Sequence, residues 1–466
     1  MFSYSPFHSS PFSSKHADSP AGPELDVGLL DILANFYVIC PKLVKREDEE
    51  HKRLLFYYPP EETSQRKVTG MAAAIVNFTS ELVKIEGTNG TKRRAHRFVC
   101  SNKTAAIFLP VEEDFILGAT FNRGGSFFAH SGTLLRTVEN LYEMYRLFHG
   151  PFKRSFQVGD SSAKELAFKL DTFFSNYLLT MKLSSIPLID YLDGVCFMPL
   201  DQKLFLETQC FVDELQEECA ELRLAMFLFQ TRLAQYSVQK SALRPLYRFL
   251  VEHLIPHALA EELQPEIVSL SSSGRFVQAY FDFAPQDGPY PRVQLENEES
   301  GELEVAYRSL NATLCVLVPE EADVTRALTK LRQRLEPKMS ALASAMGETI
   351  SALSRPLIST VPFHFIYFNY DSLSFRTSLK QQPNSSGATS IAFTAEINHA
   401  IYEAFDKFVE RLDEGVHQAL KVGGDLAATS GSSSCSSRTP ANSSLQDFHG
   451  HFNSILAAHF THVHFD

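Results

Sequence analysis

Apolar residues fall along this chain in two rhythms that exchange with one another in about three rounds. Near-continuous apolar and aromatic runs predict strands, and spacings of three, four and seven predict the buried faces of helices. In the first round GLLDILANFYVIC (28–40) and RLLFYYP (53–59) predict two strands. Pro59 and Pro60 end the second, because proline offers no amide to a ladder. Val68, Met71, Ile75 and Leu82 then predict a helix, and RAHRFVCS, AAIFLP and FILGATF three short strands. Two longer helices follow, one on Leu134, Val138, Leu141, Tyr145 and Phe148, the other on Leu166, Leu170, Phe173, Tyr177 and Met181. Strand, strand, helix, three strands, helix, helix is the order of an α/β layer with a mostly antiparallel sheet.

The second round opens on a strand at GVCFMPL (194–200) and a helix through Leu204, Phe211, Leu215 and Cys219. A hairpin at RLAMFLFQTRLAQYSV (223–238) and a helix on Leu243, Leu246, Leu250 and Leu254 come next. After a polar gap near 261–274, FVQAYFDF and LEVAYRSLNATLCVLV read as strands. One helix over 321–346 carries Val324, Leu328, Leu331, Leu335, Leu342 and Met346 on a single stripe. The third round has an aromatic hairpin, FHFIYFNYDSLSFRTSL (363–379), and a helix through Ile397, Ile401, Phe405, Phe408 and Leu412. Residues 423–446 are rich in Ser and Gly and too poor in hydrophobes to repay the entropy of ordering. The expected organisation is a disordered tail (1–27), a first domain (28–185), a second (186–358) and a third (359–466) holding the flexible insert 423–446.

Composition narrows the function classes. Of 466 residues 44% are hydrophobic, with 38 Phe and no Trp, which supports large aromatic cores. A net charge of −12 argues against nucleic acid as the main partner, since phosphate neutralisation needs clustered Lys and Arg. The seven cysteines, at 40, 100, 196, 210, 219, 315 and 435, form no Cys-x-x-Cys pair and fit a reducing cytosol. No signal-peptide pattern opens the chain and no stretch approaches the roughly 20 apolar residues of a membrane span. Membrane contact is therefore expected to be peripheral.

Motifs for covalent chemistry are missing: there is no phosphate-binding loop, zinc-protease helix, nucleophile elbow or dinucleotide fingerprint. GTNGTK (87–92) has the wrong spacing to cradle phosphates and reads as a turn. No cofactor is expected. Three local features remain. The end of the chain, HGHFNSILAAHFTHVHFD, places His462 and His464 two apart, so that on a strand both imidazoles would share a face. That is either a zinc pair or an end-strand with exposed histidines. TKRRAHR (91–97) gathers Lys92, Arg93, Arg94 and Arg97, either a contact for anionic lipid head groups or a solvated turn beside a charged edge strand. EDEEH (47–51) reads as a solvated acidic loop.

The acidic loop and the strand after it, REDEEHKRLLFYYP, resemble the signature of the vacuolar fusion protein Ccz-one family. Four further blocks keep the order of that family. TLLRTVENLYEMYRLFHGPF (133–152) is similar to its helix ending Tyr-x-Met-Tyr-x-Leu-Phe-x-Gly-x-Phe; DGVCFMPLD (193–201), FHFIYFNYDSL (363–373) and AAHFTHVHFD resemble its later strands and tail. The resemblance implies three longin-type α/β domains, each a mostly antiparallel sheet flanked by helices. It implies a heterodimer with a Mon-one-like longin partner that acts as guanine-nucleotide exchange factor for a Rab-seven-type GTPase on late endosomes, lysosomes and vacuoles. A third regulatory subunit and a phosphoinositide surface belong to the same expectation. The sequence departs from the pattern at its Ser/Pro-rich N-terminus and at 423–446, where the family carries strands of its third domain.

An exchange factor breaks no covalent bond, which agrees with the missing catalytic motifs. The face expected to meet partner and GTPase comprises Tyr57, Tyr58, Pro59 and Pro60 with Val68, Met71 and Ala72. Tyr57, Val68 and Met71 read equally well as core of the first domain. Two other classes stand beside exchange: a longin scaffold without exchange activity, and a metal-dependent hydrolase built on His462 and His464.

Overall fold

The computed structural model describes residues 29–43, 52–60, 97–122, 131–156, 160–181, 194–219, 222–262, 274–286, 288–295, 302–319, 322–335 and 338–354, with four short strands between 366 and 390. The expected helix on Val68, Met71, Ile75 and Leu82, the helix through Ile397 to Leu412, the tail 1–27, the insert 423–446 and the C-terminal histidines lie outside these residues.

Two antiparallel sheets carry the fold. The first contains β1 (Leu33–Ile39), β2 (Leu54–Tyr58), β3 (Arg97–Cys100), β4 (Thr104–Glu112) and β5 (Phe115–Asn122), ordered β2-β1-β5-β4-β3. In β1, Phe36 and Val38 join the main core while Tyr37 and Ile39 join a smaller cluster with Ala106, Phe108 and Ile116. Both faces are covered, which is why the strand reads as an unbroken apolar run. Gly118 sits opposite Tyr37, and a Cβ there would fall 2.0 Å from the Tyr37 ring, so the ring lies against bare backbone.

The run 28–40 is not all strand, as expected above. It starts as one helical turn, α1 (Leu29–Ile32), whose Leu29 N–H donates to the Met181 carbonyl at 3.0 Å. Docking on the end of a distant helix overrides the local strand pattern. Helices α2 (Ser131–His149), the short α3 (Phe152–Ser155) and α4 (Asp160–Thr180) follow, as the periodicity predicts, and pack their buried side chains with Phe36, Val38 and Phe56.

Helix α5 (Gln202–Glu218) leads into the second sheet and is capped by Asp201, whose carboxylate accepts the Leu204 N–H at 2.7 Å. That sheet contains β6 (Arg223–Phe229), β7 (Arg232–Tyr236), β8 (Arg275–Phe276), β9 (Arg292–Val293), β10 (Glu302–Ser309) and β11 (Ala312–Pro319), ordered β7-β6-β11-β10-β8 with β9 paired to β10. One face packs with α6 (Lys240–Phe249) and α7 (Ile255–Glu262), and the other with α5, α8 (Val324–Leu335) and α9 (Lys338–Ser354). Between α6 and α7, Leu250–Leu254 form a π turn. Pro256 follows at once, and its ring and missing N–H cannot fit an uninterrupted α-helix.

Three further expectations are corrected. GVCFMPL forms no strand, only isolated bridges at Val195 and at Phe197, the latter parallel with Leu233, and Pro199 prevents a ladder from growing. FVQAYFDF joins a strand only at its first residue, within β8, and Phe281 and Phe283 leave the sheet to fill the seam described below. The single helix of 321–346 is two, α8 and α9, with Pro337 between them in the sequence. The third-round hairpin forms as expected, β12 (Ile366–Asn369) against β13 (Ser374–Thr377), and a two-residue pair follows, β14 (Gln382–Pro383) and β15 (Thr389–Ser390).

The two sheets share one core, because α2 and α4 of the first pack directly on α6 and the π turn of the second. Phe148 meets Phe249 with ring centroids 5.0 Å apart, and Phe283 wedges against Phe148, Phe173 and Tyr177. Arg244 crosses the seam to donate to the Asn140 side-chain oxygen at 2.5 Å and pairs with Glu143 at 3.2 Å. Two histidines belong to this seam. His149 stacks on Tyr145, and His253 is ringed by Tyr177, Phe249, Phe281 and Phe283. The Nε2 of each is sealed from solvent and has no hydrogen-bond partner.

Burial first, then the charge of Lys169 for His149 and of Arg248 for His253, pushes both imidazoles down to about 4. The unfolded chain therefore binds more protons than the folded one between pH 6.5 and 4. Stability from this source is complete above pH 6.5 and is lost as pH falls through that window, by about 2 kcal/mol per histidine at pH 5. Thermal melts of His253→Phe should lose part of that acid sensitivity while remaining close to the parent at pH 7.5. Equal acid sensitivity in the two proteins would contradict this assignment.

Candidate functional site

Strand β2 forms one edge of the first sheet and pairs, among the described residues, with β1 alone. Its side chains divide between the two faces. Phe56 points into the main core, where its ring lies 6.1 Å from Phe36 and 5.5 Å from Phe174 on α4. Tyr57 turns to the other face and stacks on Tyr37 at 6.2 Å with the rings 17° from parallel. Burial, and then the neighbouring Tyr57 phenol, raises the Tyr37 phenol far above its ordinary range, so it stays neutral.

The expected interface residues are placed as follows. Tyr57, Tyr58 and Pro59 are half-buried and Pro60 is exposed. Tyr58 packs on the main core and precedes Pro59 through a cis peptide bond. Tyr57 is thus both packing and surface: one side of its ring rests on Tyr37 while part of it stays open. Val68, Met71 and Ala72 lie outside the described residues, so the described part of the face is the four-residue strand end. Of the basic cluster, Arg97 begins β3, while Lys92, Arg93 and Arg94 lie outside. β3 is the opposite edge of the same sheet, four strand spacings or about 19 Å from β2. Tyr57 and Arg97 therefore stand on opposite edges of the sheet.

What holds this domain in shape was only partly visible beforehand. Tyr142, Tyr145, Phe148 and Phe152, the aromatic positions of the helix motif, are all buried, and the Tyr142 and Tyr145 rings meet Phe152 at 5.2 and 4.8 Å. Glu112 at the end of β4 binds them together: Oε1 accepts from the Tyr142 hydroxyl at 2.8 Å and the Phe152 N–H at 2.5 Å, and Oε2 from the Lys153 N–H at 3.0 Å. Gly150 ends α2 at φ +74°, and its N–H returns to the Arg146 carbonyl at 2.9 Å. A Cβ there would meet Gln294 Oε1 at 2.6 Å, so the glycine also admits the second domain's loop. Glu112 lies 30 or more positions from its partners, and no local spacing signals it.

Among the described residues no three His, Cys, Asp or Glu side chains converge as a metal site, and no helix is long and apolar enough to cross a membrane.

Residues 33–150 match the model of the first longin domain of INTU, CCZ1 and HPS4, and residues 223–338 match the model of Intu longin-like domain 2. The fold is thus a protein of tandem longin domains, one on each sheet. A vacuolar fusion protein CCZ1 homolog of Nematostella vectensis is 28% identical over 389 residues, covering 77% of this chain and 82% of that protein. The homolog of Xenopus tropicalis is 25% identical over 392 residues, 76% of this chain and 80% of that protein. That of Danio rerio is 29% identical over 265 residues, 53% of this chain and 55% of that protein. The chain carries longin domains of the INTU, CCZ1 and HPS4 kind and is similar to the vacuolar fusion protein CCZ1 homologs over most of its length.

Proposed function

We propose that this chain is one subunit of a heterodimeric guanine-nucleotide exchange factor that, with a Mon-one-like longin partner, activates a Rab-seven-type small GTPase during endosome maturation, vacuole or lysosome fusion and autophagy. The relatives are named for vacuolar fusion, which supports a role in that process. The observation that carries the reading further is the edge strand β2 of the first longin domain, braced from behind by Phe36 and Phe174 and open at Tyr57 to Pro60. A strand that pairs on one side alone among the described residues offers backbone donors and acceptors in a fixed row, and half-exposed tyrosines supply contact area with little entropy to lose.

Exchange in this reading is linkage. A surface that binds the nucleotide-free GTPase more tightly than the loaded form weakens nucleotide binding by the same factor, acting on the switch loops that phosphate and magnesium hold. The strand end Tyr57, Tyr58, Pro59 and Pro60 with Val68, Met71 and Ala72 forms this chain's share of that surface. The far edge, with Lys92, Arg93, Arg94 and Arg97, faces a phosphoinositide membrane to which the cytoplasmic complex is recruited peripherally. Residues 359–466 form the third longin domain, beginning at the β12 and β13 hairpin, and a third regulatory subunit joins the pair.

Release of fluorescent GDP from a Rab-seven-type GTPase tests this directly. The pair of chains should accelerate release at least tenfold and either chain alone should not. A stable pair that leaves release unchanged would reject exchange and leave a scaffold.

A further inference from the structure

Helix α4 buries one side and leaves the other bare. Its inner face, with Leu166, Leu170, Phe173 and Tyr177, is wholly covered, yet its outer face carries Phe168 at 72% exposure and Leu179 at 67%. With Tyr280 at 69%, these are the most exposed large hydrophobic side chains among the described residues. Their placement is ordered. At 100° per residue Phe168 and Leu179 stand within about 20° of one another around the helix and about 16 Å apart along its axis. Thr172 and Ser175 fall between them, and the successive spacings of four, three and four residues are those of a coiled-coil seam.

The polar groups along this stripe are already bonded within the chain. The Thr172 hydroxyl donates to the Phe168 carbonyl at 3.0 Å, the Ser175 hydroxyl to the Asp171 carboxylate at 3.2 Å, and the Asn176 amide to the Thr172 carbonyl at 2.8 Å. Lys169 pairs with Glu165 at 2.9 Å. Groups that keep these bonds when water is removed lower the cost of covering the stripe. Asn176 also reaches the Asp282 carbonyl at 3.3 Å, which brings the segment carrying Tyr280 alongside the helix.

The order of the side chains selects the occupant. Phe168 and Leu179 lie equally far from the middle of the stripe, and so do Thr172 and Ser175. When a second α4 crosses it antiparallel, about a two-fold axis at that midpoint, each Phe168 meets Leu179 of the other copy and each Thr172 meets Ser175. Bulky side chains then fill both ends, and the small ones let the helices approach at the centre. An isologous contact needs just such a self-complementary patch, whereas the helix of an unrelated protein does not.

We propose that two copies of this chain associate through α4, antiparallel and two-fold related, with Phe168 of each packed on Leu179 of the other. The stripe points away from the first sheet and uses none of Tyr57 to Pro60, so the proposal is independent of the exchange reading.

Sedimentation velocity of the full chain tests it, with reductant present so that the exposed Cys100 and Cys210 cannot link chains. The parent should pass from monomer toward dimer as its concentration rises to about 0.1 mM. Phe168→Glu and Leu179→Lys, both at exposed positions outside the core, should melt with the parent and each weaken the dimer at least tenfold. Mixing the two variants should restore association, because the mixed pair keeps one Phe168–Leu179 contact and sets opposite charges against each other at the second. A parent that stays monomeric through this range would overturn the proposal and leave the stripe to a helix of another protein. So would a dimer that neither substitution weakens. Variants that fail to complement one another on mixing would overturn it as well, since parallel or shifted helices give no such rescue.

Discussion

Phe174→Ala should destabilise the protein by about 3–5 kcal/mol and release strand β2 before the rest of the first sheet. The Phe174 ring is fully buried on α4 and touches Phe36 at 4.8 Å, Phe56 at 5.5 Å and Phe173 at 5.0 Å. Phe36 lies on β1 and Phe56 on β2, so one side chain clamps the edge strand to the helix behind it. Removing it opens a cavity that neither strand can fill, since both are held in register by their backbone ladder. Edge strands have only one ladder partner and exchange their amides most readily. Hydrogen exchange at Leu54–Tyr58 should therefore rise well before exchange in β5, which is paired on both sides. If the variant is as stable as the parent, or loosens both strands alike, Phe174 does not hold this edge.

The second large effect concerns a carboxyl group in the second sheet. Glu304 on β10 is buried to 1% exposure, accepts from the Cys315 thiol at 3.6 Å through Oε1, and leaves Oε2 without a partner. Burial, opposed only by that weak thiol contact, pushes its carboxyl up to about 8. The Cys315 thiol is raised as well, by burial first and then by the charge of Glu304. Because the folded carboxyl keeps its proton to higher pH than the unfolded one, the folded state binds more protons between pH 4.5 and 8. Stability consequently falls as pH rises through this window, by about 3 kcal/mol at pH 7. Glu304→Gln cannot ionise and retains an acceptor for the thiol. The difference in stability between variant and parent should grow from near zero at pH 4.5 to about 3 kcal/mol at pH 7 in urea titrations. A difference that stays constant with pH would show that the carboxyl ionises freely in the fold.

These two residues illustrate what a sequence exposes and what it conceals. Phe174 sits in a helix whose apolar stripe, Leu166, Leu170, Phe173 and Tyr177, is legible from spacing alone, and the strand FYVI announces its burial by having no polar face. Glu304 carries no such signal. A Glu at an alternate position of LEVAYRS reads as the solvent side of a half-exposed strand, yet both faces of the second sheet are covered by helices. The aromatic FVQAYFDF misleads in the same way. It has strand composition, but Phe281 and Phe283 stabilise more by filling the seam between α4 and α6 than by extending a ladder. Breaks set by single prolines, at Pro199 and Pro337, were present in the letters and were outweighed by longer apolar rhythms. Of the proposed interface, what was legible is the end of strand β2 at Tyr58, because two prolines close an aromatic run. The stacking of Tyr57 on Tyr37 was not, since strand register fixes it.

Nucleotide release measures the central proposal most directly. With the longin partner present, the parent chain should speed GDP release from a Rab-seven-type GTPase at least tenfold. Tyr57→Ala combined with Pro60→Ala should remove most of that gain without dissociating α4 from the sheet. Release that is no faster with the pair than without it, or that is untouched when the strand end is altered, would contradict the role assigned to this edge.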